Sequence, residues 1–346
     1  MDWALRKKLI IWLLLILATV FSMVVVGGLT RLTESGLSIV EWKPVTGTLP
    51  PLGEVAWQAE FEKYQQSPQY QKINKGMSLE EFRGIFWLEY LHRLLGRVIG
   101  LLFLLPMVYF WIQHDLPKWL KWRLAGLFFL GGLQGAIGWY MVKSGLVNVP
   151  MVSPYRLALH LGTAFLLMGG LIWTALQLEE KQWNLSVPAL LPRFAAILTG
   201  LIFLQVLMGA LVAGLDAGLT YNTFPFMDGH FIPNGLYVME TGWRNHFENV
   251  AMVQFQHRIG AYAVALATVV FSALAWVKLG NGSIKARLHR NLLLLSAAMG
   301  IQIALGILTL LHHVPVALAS KHQAMAAIMF CMQIWIWYDL RSLKRS

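Results

Sequence analysis

Charge is what this sequence has least of. Of its 346 residues 13% are Asp, Glu, Lys or Arg, about half the roughly 25% of an ordinary soluble domain. Apolar residues make up 57%, and the mean hydropathy is +0.57. So little charge excludes a water-soluble globule of this size, and so much apolar weight excludes a disordered or collagen-like chain. The single cysteine, Cys331, excludes an internal disulfide and a multi-thiolate metal site. Also missing are a glycine-rich phosphate cradle, a Ser/His/Asp set and a CxxCH attachment sequence. No small-residue cleavage site follows the first 30 residues, so they are expected to stay as a span. The lack of an Arg-rich and Ser-rich presequence points to a bacterial inner membrane.

What is present is long apolar runs. A membrane span needs about 20 such residues, and eight runs qualify: 9–30, 84–112, 124–142, 157–178, 194–215, 252–278, 292–311 and 319–340. With the N-terminus in the cytoplasm, the inner segments carry 14 Lys and Arg in 53 residues, against 9 in 110 for the outer ones. That bias orients the chain with both termini cytoplasmic. It also places much of the net charge of +11 on the cytoplasmic face, against membrane lipid, so no nucleic-acid partner is expected.

The chain repeats itself. Gly27 to Leu37, GGLTRLTESGL, matches Gly209 to Leu219, GALVAGLDAGL, at an offset of 182. Glu89-Tyr90-Leu91-His92-Arg93 matches Gln254-Phe255-Gln256-His257-Arg258, and Gln134 to Gly138 matches Gln302 to Gly306. His160 opens the fourth run as His322 opens the eighth. Four matches in one order describe an all-α integral membrane protein of eight transmembrane helices, arranged as two pseudo-symmetric four-helix bundles over 1–180 and 181–346. The outer segments 31–83 and 216–251, rich in Pro, Gly and aromatics, are expected to be ordered lids over the bundle mouths. Glycines 131, 132, 135 and 138 on the third run suit either tight helix packing or a groove for an apolar tail.

Four histidines lie within spans: His92, His160, His257 and His322, each in the first third of an even-numbered run. Even-numbered spans run the same way, so at 1.5 Å per residue the rings share one depth near the outer face. A polar ring at membrane depth must be paired, ligating or lining a cavity. Zinc is poorly served, for want of thiolates and of a carboxylate in both halves. Two histidines from facing helices of a bundle suit the axial clamp of a haem iron. Arg93 and Arg258 directly follow two of them. At 100° per residue an arginine cannot share its neighbour's face, but its stem could reach round to a haem propionate or up to the interface.

One position separates the halves. Glu89 stands three residues before His92, where Gln254 precedes His257. An intramembrane carboxylate is by default functional, which suggests proton or cation chemistry in the N-terminal half and simple cofactor holding in the other. The structural alternative is an i, i+4 pair of Glu89 with Arg93.

The runs GGLTRLTESGLSIVEWKPVTGTLPPL (Gly27 to Leu52), FWLEYLHRLLGR (Phe86 to Arg97), RLALHLG (Arg156 to Gly162), GLTYNTFPFMDG (Gly218 to Gly229), QFQHRIGAY (Gln254 to Tyr262) and SKHQ (Ser320 to Gln323) resemble haem A synthase. The chain is similar to its branch without a cysteine pair in the first outer loop. The resemblance implies that His92 and His160 flank the substrate haem O and that His257 and His322 ligate a resident haem b. It further implies oxidation of the C8 methyl of haem O to a formyl group through a hydroxymethyl stage, with Glu89 as the catalytic carboxylate. Haem O synthase and cytochrome oxidase assembly factors are the implied protein partners, and homo-oligomerisation stays open. A di-haem electron carrier of cytochrome b type is the rival, with a parallel-repeat transporter behind it.

Overall fold

A computed structural model describes residues 1–43, 46–147, 150–179, 186–279 and 283–345. Its regular structure is almost wholly helical. Eight helices are long: α1 (Trp3–Leu32), α4 (Leu79–Gln113), α5 (Lys118–Gly145), α6 (Pro154–Leu178), α7 (Leu190–Gly214), α9 (Val250–Leu279), α10 (Ser283–Leu311) and α11 (Val316–Arg341). Three are short: α2 (Glu54–Gln65), α3 (Pro68–Lys72) and α8 (Asn245–Glu248). The described strands are two residues each, β1 (Ser186–Val187) and β2 (Lys344–Arg345), paired in parallel.

Seven of the long helices are long and apolar enough to cross a membrane, which makes this a multi-pass membrane protein. The eighth, α11, is diluted by Lys321, His322, Gln323, Gln333 and Asp339. Two of its buried polar side chains reach protein partners: Gln333 Nε2 donates to the Ala195 carbonyl at 3.0 Å, and Arg287 lies 3.2 Å from the Asp339 carboxylate. The helices also run past the apolar stretches. α4 begins at Leu79 rather than 84 because Ser78 and Glu81 form a reciprocal capping box, which satisfies backbone donors that the first turn leaves open.

The chain resolves into two compact units: Thr19–Ala164, and Met1–Ala18 together with Phe165–Ser346. In the second unit close backbone approach runs round a complete ring, α7 to α9 to α10 to α11 and back to α7. In the first, among the described residues, the extensive approaches of this kind are α4 with α5 and those of the lid helices. The repeat is visible in the backbone, because α1 and α7 both end in a left-handed residue, Glu34 at φ 53° and Asp216 at φ 50°.

The segment after α1 is an ordered lid with a core of its own. Trp57, Phe61 and Tyr64 of α2 pack with Phe82, Phe86 and Tyr90 of α4. Around this core Tyr64 Oη accepts from Asn74 Nδ2 at 2.7 Å, Gln69 Nε2 donates to the Glu34 carbonyl at 2.7 Å, and Arg83 pairs with Glu54 at 2.6 Å. The segment after α7 is pinned by asparagines instead. Buried Asn245 accepts from the amides of Val238 and Met239, and Asn249 donates to the carbonyls of Gly235 and Leu236.

Candidate functional site

Each of the four intramembrane histidines lies against a glycine of the preceding long helix. A Cβ added at Gly27 would stand 3.1 Å from His92 Nε2, and one at Gly138 would stand 3.1 Å from His160 Cε1. In the second unit the same holds for Gly209 and His257 Cε1 at 3.2 Å, and for Gly306 and His322 Cε1 at 2.8 Å. The contact thus recurs at four places related by the repeat, and any larger side chain would push the ring aside. Within each unit the two rings lie in electrostatic range of each other, His92 with His160 and His257 with His322.

Glutamines hold three of the four histidine turns. Gln134 Nε2 donates to the His160 carbonyl at 3.0 Å, and Gln205 Nε2 donates to the His257 carbonyl at 2.8 Å. His322 Nδ1 lies 3.2 Å from the Gln302 carbonyl. A carbonyl can only accept, so Nδ1 carries the proton, and the Nε2 lone pair faces the Gln302 side-chain amide at 3.4 Å, which must turn away before a ligand can take that position. His160 Nδ1 is buried without a hydrogen-bond partner. No cluster of three or more His, Cys, Asp or Glu suited to a metal ion occurs among the described residues. Two imidazoles per unit and no third donor fit a planar macrocycle that brings its own four nitrogens to the metal, and do not fit a tetrahedral zinc cage.

Glu89 is buried, and both its oxygens are taken. Oε1 accepts from Arg93 Nη2 at 2.6 Å and Nε at 3.0 Å, while Oε2 accepts from Ser38 Oγ at 2.7 Å and the Ile39 amide at 2.8 Å. The i, i+4 pair that the sequence offers as an alternative is therefore formed. Arg93 goes on to donate to the carbonyls of Ile39 at 2.9 Å and Glu41 at 3.2 Å. The carboxylate and the guanidinium together fasten the first lid to the turn that carries His92.

The second unit repeats the fastening with other chemistry. Arg258 donates to the carbonyls of Tyr221 at 2.8 Å and Thr223 at 2.9 Å, and Gln254 Nε2 donates to the Tyr221 carbonyl at 3.2 Å. Tyr221 and Thr223 stand 182 residues after Ile39 and Glu41, so the duplication extends to which carbonyl meets which nitrogen. Among the first lid's surface charges, Glu41 is strongly perturbed. Hydrogen bonds from Lys43 and then Lys63 hold its carboxyl down at about 2, against an ordinary 4.5.

Sequence reasoning found the histidines, the two arginines and Glu89, and missed what touches them. The glycines lie in the matched stretches, and Gly138, expected to serve tight packing or a tail groove, instead backs His160. Ser38 and Ile39 had no marker beyond their place in the first quoted run. Glycines 131, 132 and 135, by contrast, do not serve tight packing: a Cβ at any of them would meet nothing within 4 Å.

The chain is also similar to known proteins over nearly its whole length. Residues 10–334 match the family model COX15-CtaA, described as cytochrome oxidase assembly protein. The chain is 51% identical to the heme A synthase of Nitrosospira multiformis over 98% of its own length and 95% of the relative's. It is 51% identical to that of Parvibaculum lavamentivorans, covering 94% and 92%, and 47% identical to that of Agrobacterium fabrum, covering 96% and 90%. With a match over nearly its whole length and two histidine pairs in register, the chain belongs to the COX15-CtaA family of cytochrome oxidase assembly proteins.

Proposed function

We propose that this chain acts as a haem A synthase, an oxidoreductase that converts the C8 methyl of haem O to a formyl group by way of a hydroxymethyl stage. The observation that carries the reading is the doubled histidine pair, each ring backed by glycine, in a chain whose curated relatives bear that name at about half identity. The N-terminal half, 1–180, takes haem O between His92 and His160. The C-terminal half, 181–346, keeps a haem b between His257 and His322. Bound iron porphyrin supplies the redox chemistry when present. The chain's own residues orient the porphyrin through the paired imidazoles, exclude bulk water with the lids and supply Glu89 beside His92 to accept or return protons. Because Glu89 is saturated by Arg93, Ser38 and Ile39, proton handling requires one of these partners to let go.

The packing supports this division. A closed helix ring suits a group that stays, and an open arrangement suits a substrate that must enter and a product that must leave. α11 serves as the eighth span, with Gln333 and Asp339 reaching partners within protein, which completes two pseudo-symmetric four-helix bundles. Both termini lie in the cytoplasm of a bacterial cell, and the haem sites lie near the outer face of its inner membrane. Haem O arrives from the bilayer, because exposing its farnesyl tail to water costs roughly 0.8 kcal/mol per CH₂. Haem O synthase and oxidase assembly factors are the protein partners expected at this point. Against the rival electron carrier stands Glu89, for which two equivalent haems give no reason to differ from Gln254.

The deciding experiment is haem extraction and chromatography from cells expressing the chain with and without a haem O synthase. Haem A should form only when both are present. Haem b without haem A, in cells rich in haem O, would identify an electron carrier.

A further inference from the structure

Arg93 and Arg258 do the same work on the lids, and one edge of each guanidinium is left over. Arg93 gives Nη2 to the Ile39 carbonyl and Nη1 to the Glu41 carbonyl; Arg258 gives Nη2 to the Tyr221 carbonyl and Nη1 to the Thr223 carbonyl. The halves part at the edge formed by Nε and the neighbouring Nη2. On Arg93 that edge closes on Glu89 Oε1, at 3.0 and 2.6 Å. On Arg258, Gln254 stands in the carboxylate's place and turns its amide nitrogen to the Tyr221 carbonyl. Arg258 Nε is consequently buried with no hydrogen-bond partner, and so is Gln254 Oε1.

We propose that the free edge of Arg258 binds a carboxylate of the group held by His257 and His322, namely a propionate of the resident haem, and that Glu89 blocks the same use of Arg93 toward the substrate. The inference rests on the haem A synthase reading and adds to it which seat grips an acid group. The duplicated half is the evidence for the ligand class, because the same guanidinium in the same lid geometry there takes a carboxylate. A buried N–H demands a partner, and a charge-assisted bond from guanidinium to carboxylate is among the stronger ones a protein makes. The resident group then has three anchors, two imidazoles and one guanidinium, while the substrate seat has two. A cofactor that must stay and a product that must go are thereby told apart by one residue, Gln254 against Glu89.

The test follows haem loss from purified holoprotein in detergent, read as transfer of the low-spin haem to excess apomyoglobin. Gln254→Glu supplies the edge with an internal carboxylate while leaving the Arg258 bonds to the lid in place. It should speed haem loss about tenfold or more, as expected for losing a hydrogen bond to a charged group. Gln254→Leu removes the amide without adding charge and should stay near the wild-type rate. Loss from Gln254→Glu at the wild-type rate, or equally fast loss from both variants, would overturn the proposal. A second measurement needs no new side chain: wild-type protein stripped of haem and refilled should hold iron protoporphyrin about tenfold tighter than its dimethyl ester. Equal affinity would also overturn it, and a phospholipid that copurifies with wild type but not with Arg258→Ala would then name a lipid phosphate as the occupant. Haem A is extracted from the same cells, so normal haem A with unchanged haem loss sinks this inference alone. Absence of both haem A and bound haem sinks the functional reading.

Discussion

The two halves of this molecule share a plan and differ in how tightly it is closed. α7, α9, α10 and α11 approach one another all the way round, whereas in the N-terminal unit the extensive backbone approaches among the described residues are α4 with α5 and those of the lid. The lids differ in the same sense. The first is a small aromatic-cored domain fastened by a buried ion pair, and the second is a run of turns pinned by asparagine side chains. The lesson is that duplication preserved the histidine seats and the lid carbonyls, while the packing between them was free to diverge.

The largest test of that contrast is to remove the seats. His257→Ala and His322→Ala should each abolish the low-spin spectrum of the resident haem. His92→Ala and His160→Ala should leave that spectrum and stop haem A production. Low-spin haem surviving in both C-terminal variants would break the comparison at its root.

Next comes the residue that separates the halves. Glu89→Gln copies the C-terminal solution, and it should slow methyl oxidation roughly 100-fold, within the span of general acid–base effects, with haem O or the hydroxymethyl compound accumulating. Ser38→Ala removes one of the carboxylate's lid bonds at a cost of about 1.5 kcal/mol of lid attachment. It should reduce turnover far less. Equal losses in the two variants would make Glu89 a fastener and nothing more.

A smaller effect is expected at the glycines behind the histidines. Gly306→Ala puts a methyl 2.8 Å from His322 Cε1, while a Cβ at Gly300 on the same helix meets nothing within 4 Å. Overpacking of this kind costs about 1–3 kcal/mol, so Gly306→Ala should broaden or shift the low-spin spectrum and Gly300→Ala should not. In the open half, Gly135→Leu should lower haem A formation without touching the haem b spectrum. Equal loss of both haems would argue against a groove on α5.

The smallest expected effect concerns pH. Glu41 is depressed from 4.5 to about 2 by Lys43 and Lys63. A carboxyl lowered in the folded state stabilises it above the unfolded value and loses that contribution as pH falls through the folded one. The first lid should therefore loosen slightly between about 4.5 and about 2. The half-exposed setting of Glu41, with 44% of its side chain accessible, keeps the effect small. Fluorescence of Trp57, buried in the lid core, reports it; a flat signal across that window would assign lid attachment wholly to Glu89 and Arg93.

Much of this was legible in the residues. Apolar runs reveal helices because a polar backbone cannot face lipid unpaired, and histidines in such runs stand out for the same reason. Helix ends were less legible. The Ser78 to Glu81 capping box could have been read from the sequence, but α10 begins at Ser283, nine residues before the apolar run, among ordinary polar residues. α2 and α3 were missed altogether, because Glu54 to Lys72 mixes charge and aromatics with no long apolar stretch. The partners of Glu89 were invisible in principle, since Ser38 and Ile39 lie 51 and 50 positions away. Only the folded lid brings them to the carboxylate.

The ring in the C-terminal unit is closed by α11 against α7 and α10, and α11 also carries His322. On a growing chain, then, this seat has one wall missing until α11 has left the ribosome. The pairing of Ser186–Val187 with Lys344–Arg345 likewise waits for the segment after α11. The N-terminal histidines are both synthesised by residue 160. During biogenesis the His92 and His160 pair is therefore complete before the His257 and His322 pair, so a group held by the second pair can be seated only once α11 has been made.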